Sequence, residues 1–199
     1  MDGLITIISE NPVAAVFGAL GLTCQLIWPW FRQRRAILSV QFGIGSLYCV
    51  QYALLGAWSA AGVTAIGATQ TAVAFAAGDR PWLRRAGLVF LPIVAALCLL
   101  TWNGLSSLFA LSAVTLIMVG RMQEDTMRLR VLQLAAAPFG MGHDVIVGAA
   151  PALIGGVISA CVAAAALARE IRLRRHQAAV SAFSGFDAVQ RAEPEGSRL

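Results

Sequence analysis

The sequence predicts an all-α integral membrane protein with seven transmembrane helices in a three-plus-one-plus-three plan. Three observations carry that prediction. The chain is 58% hydrophobic and 13% charged, with a mean hydropathy of +0.74, outside the range of water-soluble domains. Hydropathy divides it into apolar runs at 12–31, 36–55, 57–77, 86–102, 104–120, 131–149 and 150–168, each roughly 17–21 residues and about long enough to cross a ~30 Å hydrocarbon layer. The third observation is repetition: the stretch from Gln41 to Arg80 recurs, diluted and without a gap, from Gln133 to Arg172.

Shifted by 92 positions, Gln41 falls on Gln133, Gly56-Ala57 on Gly148-Ala149, Ala60 on Ala152, Ile66 on Ile158 and Arg80 on Arg172. Alanine matches carry little weight in so Ala-rich a chain. The Gln, the Gly-Ala turn and the Arg carry it, together with the matching hydrophobic blocks. Helices one to three thus correspond to helices five to seven, and helix four has no counterpart.

Helix one follows Asp2 and Glu10 and precedes Arg32, Arg34 and Arg35, the reverse of a cleavable signal peptide, so it is expected to stay in the membrane. Helix two ends at Leu55-Gly56-Ala57, and helix three ends just before Asp79-Arg80. Helix four lies between Arg80, Arg84 and Arg85 on one side and Asn103 on the other. Helix six follows Arg121, Arg128 and Arg130, and helix seven ends at Arg169, Arg172, Arg174 and Arg175. These clusters occupy alternate connections, while those around Gly56, Asn103 and Gly148 carry no basic residue. The positive-inside rule then places the N-terminus outside and the C-terminus in the cytoplasm. Trp28, Trp30 and Trp82 fall at the expected inner ends, and Trp58 and Trp102 at the outer ends, as interfacial anchors. With one odd helix between them both triplets start outside, so they are expected as parallel repeats about an axis along the membrane normal. The expected divisions are an external N-terminus over 1–11, a first repeat over 12–78, a linker helix with its loops over 79–103, a second repeat over 104–169 and a disordered cytoplasmic tail over 170–199.

Small residues spaced by four, Ala14 with Gly18, Ala60 with Thr64, and Gly148 with Ala152 and Gly156, lie on single helix faces suited to close packing. Pro29, Pro92 and Pro138 each remove a backbone donor within or at the end of a run. The four cysteines sit singly in apolar runs with no Cys-x-x-Cys spacing, which reads as packing. All fifteen basic residues are Arg, which excludes lysine nucleophile and Schiff-base chemistry. The pI near 9.7 reflects topology-setting arginines that can also meet lipid headgroups, and no nucleic-acid partner is expected.

Two stretches, AILSVQFGIGSLYCVQYALLGAWSAAGVTAIGA and APFGMGHDVIVGAAPALIGG, resemble the YgjV family of bacterial inner-membrane proteins. The most specific residues of that resemblance are Tyr52 with Leu55-Gly56-Ala57, and His143-Asp144 before Gly148. It implies a location in the inner membrane. More distantly, FGALGLTCQLIWPWFRQRR resembles the first helix of the PQ-loop and SWEET-like transporters, which share the three-plus-one-plus-three plan. Where those proteins carry Pro-Gln, this chain has Pro29-Trp30, and the position equivalent to Pro29 in the second repeat is Arg121.

Asp144 and His143 are the ionisable residues of helix six nearest its outer end, and intramembrane ionisable residues point to function. Adjacent helical positions diverge by about 100°, so they cannot both face one point. The repeat puts Gln51 and Tyr52 at the equivalent positions of helix two. Gln51, Tyr52, His143 and Asp144 are therefore candidates to line a cavity for a small polar solute, with Gln25 and Gln70 deeper; proton coupling through His143 and Asp144 is one use of such a lining. The alternative is a helix end whose His and Asp meet headgroups, water or loop backbone. Gln41 and Gln133 are expected to bond across the repeat interface or to cap inner loops. No nucleophile elbow, His-x-x-x-His pair or phosphate-binding glycine loop is present, so neither an enzyme nor a cofactor is expected. Two functions remain: a transporter-like protein rocking around a polar cavity, or a non-transporting accessory subunit packed in a larger membrane complex or a homo-oligomer.

Overall fold

The computed structural model of the protein describes residues 11–78, 80–148 and 150–192, with side chains described only as far as Gln177. The expectations for the external N-terminus before Asn11 and for the last seven residues of the tail lie outside the described residues. Those described form seven helical rods: α1 (Pro12–Ile27, continued by a 3-10 turn Trp28–Trp30), α2 (Arg34–Leu54), α3 (Trp58–Ala77), α4 (Pro81–Leu100), α5 (Leu105–Arg121), α6 (Thr126–Val147) and α7 (Ala150–Ala192).

Local chemistry sets the ends. Asn11 caps α1 by accepting from the Ala14 N–H at 3.1 Å, and Pro12 follows it where a missing donor costs nothing. Pro29 cannot continue the α-helical ladder, and the last turn of α1 tightens to 3-10. Pro92 likewise has no N–H for the carbonyl of Leu88, and α4 carries a 3-10 turn at Gly87–Val89 just before it. α6 starts five residues ahead of the apolar run because Asp125 accepts from the Met127 N–H at 3.1 Å and caps it. Gly56 and Gly148, 92 positions apart, close α2 and α6 with the same backbone: each has φ +71°, and their N–H groups donate to Ala53 and Val145 respectively.

Five of these rods are long and apolar enough to cross a membrane, and α5 is a shorter apolar helix. α6 belongs to neither group, because Arg128, Arg130, Gln133, His143 and Asp144 all lie on it. Its polar groups are tolerated where they meet protein rather than lipid. Around the outside, large apolar side chains face outward on every rod, Leu100 at 84% exposure among them. Such a surface suits hydrocarbon and not water.

α2 lies between α1 and α3, and α6 between α5 and α7. The two rows meet edge to edge, α1 against α7 and α3 against α5, while α4 packs on α3 and α5. α2 and α6 face each other across the middle and are bridged by long polar side chains. Two apolar clusters hold the assembly. One, at the arginine-bearing end, joins Trp28, Ile37, Leu38, Ala74, Met122 and Leu129; the other seats Val94 and Cys98 of α4 on Met118 of α5. Gly45 brings α2 close to α3, since a methyl group there would lie 3.0 Å from the Ala68 Cβ.

The disordered tail expected over 170–199 begins, among the described residues, as a continuation of α7. The backbone stays helical to Ala192, with the Arg174 guanidinium 3.4 Å from Glu170 one turn earlier on the same face. Residues 170–192 are rich in helix formers, and no proline interrupts them before Pro194.

Candidate functional site

A cavity of about 530 Å³ lies between α1 and α2 on one side and α6 and α7 on the other. Its polar wall comprises Gln25 of α1, Tyr48, Gln51 and Tyr52 of α2, Gln133 and Asp144 of α6, and Ser159 of α7. Glycines make the space. A methyl at Gly18 would collide with the Gln51 amide, and one at Gly21 would lie 3.1 Å from the Tyr48 ring, so α1 stays flat where these side chains cross it. Gly140 lines the same cavity, and a methyl there would meet nothing within 4 Å.

The wall is ordered by its own hydrogen bonds. The Tyr48 hydroxyl donates to Gln25 Oε1 at 3.1 Å, and the Ser159 hydroxyl donates to the Gln25 carbonyl at 3.2 Å, tying α1 to α7. The rings of Tyr48 and Tyr52 stack, with centroids 6.1 Å apart and planes inclined by 30°. Asp144 contributes a carboxylate, and no guanidinium or imidazole shares the described lining.

The residues expected to line one cavity are divided by the structure. Gln51, Tyr52 and Asp144 meet at it, and Gln25 joins them. His143, one helical position from Asp144, turns to α5, with Nδ1 2.9 Å from the Ser106 carbonyl oxygen. Gln70 is fully buried between α3, α4 and α5, where its amide donates to the Met118 carbonyl at 3.2 Å and the Gly87 carbonyl at 3.4 Å. Both sit outside the cavity for a physical reason: the 100° step turns His143 away, and Gln70 satisfies the backbone beside the 3-10 turn of α4. Sequence reasoning named neither Tyr48 nor Ser159. Their signal was present, because Tyr48 precedes Tyr52 by one turn and Ser159 lies one turn after Gly155.

Gln133, which lines the cavity, also belongs to a buried polar lattice behind it. Gln41 Nε2 donates to Gln133 Oε1 at 2.8 Å, and Arg121 Nε donates to Gln41 Oε1 at 3.1 Å while its Nη1 reaches the Gly67 carbonyl at 3.2 Å. Farther toward the arginine-bearing end two clasps cross between the rows. Arg34 at the start of α2 donates to the carbonyls of Arg121 (3.0 Å) and Gln123 (2.8 Å) at the end of α5. Arg130 of α6 donates to the carbonyls of Pro29 (2.7 Å) and Phe31 at the end of α1. The gripped carbonyls are 92 positions apart in both cases, Pro29 with Arg121 and Phe31 with Gln123. The sequence assigns these arginines to topology and lipid headgroups, and nothing in it points to the clasps.

Seven helical rods with apolar outer faces and a polar interior define a multi-pass α-helical membrane protein. A family model described as a bacterial inner membrane protein, Imp-YgjV, matches residues 12–175, more than four fifths of the chain. The chain belongs to that family, and it is a multi-pass protein of the bacterial inner membrane. No curated protein and no solved structure matches it.

Proposed function

We propose that the protein is transporter-like and takes a small polar solute, neutral or cationic, into the cavity between its two three-helix rows. The cavity itself carries this reading: seven polar side chains surround about 530 Å³ between helices whose outward faces carry large apolar side chains. Amide, hydroxyl and phenol groups offer donors and acceptors in every direction, and Asp144 supplies the single carboxylate of the described lining. An anionic solute would meet that carboxylate without a cation to offset it.

The rows act as parallel repeats about an axis passing near Gln41 and Gln133. Three pairings at the 92-residue shift support this: the Gly56 and Gly148 turns, the Gln41–Gln133 hydrogen bond and the carbonyls gripped by the two clasps, Pro29 with Arg121 and Phe31 with Gln123. The contact of α1 with α7 and that of α3 with α5 exchange under the same operation. In this arrangement the N-terminus is outside and the arginine-bearing end is cytoplasmic. The three-plus-one-plus-three plan is that of the PQ-loop and SWEET-like proteins, which is an analogy of plan only. The clasps then hold the cytoplasmic end shut, and rocking of one row on the other would open it. An accessory subunit packed through small-residue faces needs no polar centre, which is why the cavity favours transport.

The test is a thermal-shift screen of the purified protein with neutral and cationic polyols, amides and amines, run beside Gly140→Leu. The leucine fills the cavity from a position with room for it. Stabilisation of the native protein that is lost in Gly140→Leu supports the reading. Native purification that always yields a stoichiometric larger complex, together with no solute response, would overturn it in favour of the accessory role.

A further inference from the structure

A second recess, of about 280 Å³, lies at the arginine-bearing end between the last turn of α1 and α7. Its charged wall is Arg32, Arg130, Arg169 and Glu170, and its apolar wall includes Trp30 and Leu173. We propose that this recess binds a phosphate group, presented by an anionic phospholipid headgroup or by a free phosphate.

Arg130 is the centre of the argument. The residue is only 4% exposed, and its two Nη groups are spent on the Pro29 and Phe31 carbonyls. Its Nε is buried and has no hydrogen-bond partner. A buried guanidinium donor without an acceptor is unfavourable, and a phosphate oxygen is the acceptor that matches it best. The neighbourhood is also unbalanced in charge. Glu170 accepts from Arg32 at 3.1 Å and lies 3.4 Å from Arg174, which also lies 3.4 Å from Asp125. Two carboxylates thus stand against Arg32, Arg130, Arg169 and Arg174, an excess of two positive charges. Glu170 is held by two of these guanidiniums, which offsets its repulsion of an incoming anion. Arg169 forms no ion pair among the described residues and sits on the rim.

The surroundings fit a group that arrives from the bilayer. Trp30 is 72% exposed at the end of α1, where an indole marks the headgroup level. Val162 and Ala165 continue the apolar wall along α7 toward the hydrocarbon. A diacyl chain can lie on that face while its phosphate enters between the arginines. A free phosphate would use the same guanidiniums and ignore the apolar wall. This site is independent of the central cavity and of the transport reading.

The experiment uses the full chain in a neutral detergent, with thermal unfolding followed on titration of phosphatidylglycerol, phosphatidylcholine or inorganic phosphate. Phosphatidylglycerol is expected to raise the midpoint where phosphatidylcholine at the same mole fraction does not. Arg169→Gln, an exposed change that leaves the Arg130 clasp intact, is expected to weaken that response about fivefold, the effect of one basic group near an anionic surface. Arg172→Gln, on the same helix but outside the recess, is expected to leave it unchanged. A response to inorganic phosphate with the same Arg169 dependence supports the site and identifies dissolved phosphate as a source. Equal responses to both lipids with none to phosphate, or equal loss in Arg169→Gln and Arg172→Gln, would overturn the proposal.

Discussion

Gln41 shows how far one side chain reaches in this fold. It donates to Gln133, accepts from Arg121 and is 3% exposed, so Gln41→Leu leaves two polar partners without their bond in the buried lattice beside the cavity. The cost of such orphaned groups is about 1–3 kcal/mol each. We expect Gln41→Leu to lower the unfolding midpoint in detergent more than Ser39→Ala on the same helix, and an unchanged midpoint would remove the lattice from the account. Asp125 makes a different kind of prediction. The Met127 N–H, aided by Arg174, holds its carboxyl below the ordinary carboxylate range. A depressed folded-state value adds stability above the unfolded value, and that stability fades as pH falls through the folded one. Asp125→Asn keeps a capping side chain but not the charge, so its midpoint should no longer fall with pH through the acid range on this group's account, whereas Asp125→Ala should also lose the cap, about 1 kcal/mol, at every pH. Unfolding midpoints of the two variants across the acid range separate these effects. At this scale the sequence was legible where a residue's partner is its repeat mate, as with Gln41 and Gln133. It was not legible for His143 and Gln70, whose destinations depend on which neighbouring helix each face meets.

Among the elements, α6 departs furthest from an ordinary apolar span. Its polar positions are divided between the cavity (Gln133, Asp144), α5 (His143) and the end of α1 (Arg130). The arginine clasps make α2 and α6 the elements that fix the arginine-bearing end. Each clasp spends two charge-assisted bonds on backbone carbonyls at a helix end, where acceptors are otherwise orphaned. Removing either arginine is expected to destabilise the protein by about 2–4 kcal/mol, on the scale of bonds to charged groups. Arg34→Gln and Arg130→Gln should also raise hydrogen exchange at residues 28–34 and 119–126, in the opposite row as well as the mutated one. Exchange confined to the mutated row would sever the reciprocal link. Hydropathy placed the rods within a few residues, and the Gly-Ala turns gave two of their ends. Side-chain caps such as Asp125 and the continuation of α7 are decided by local hydrogen bonds and charge pairs, which a hydropathy window does not see.

For the molecule as a whole, the proposed repeat would relate the Gly turns, the Gln lattice and the carbonyls that the clasps grip. Equivalent helices do not have equivalent lining. Gly45 packs α2 against α3 by the Ala68 methyl, while its repeat mate Ala137 lines the open cavity beside α7. The cavity therefore sits on one side of the proposed axis, and shape complementarity of this kind could not be extracted from a hydrophobic pattern. The central claim is that this cavity opens outward while the arginine clasps close it toward the cytoplasm. It is tested most directly by placing a cysteine at Gly140, with the four native cysteines replaced by serine, and labelling it in intact cells and in inverted vesicles with a membrane-impermeant maleimide. Rapid labelling is expected from the outside, slow labelling from the cytoplasmic side, and faster cytoplasmic labelling when Arg34→Gln and Arg130→Gln are added. Labelling from the cytoplasmic side alone, or a cysteine that reacts only after denaturation, would contradict that claim.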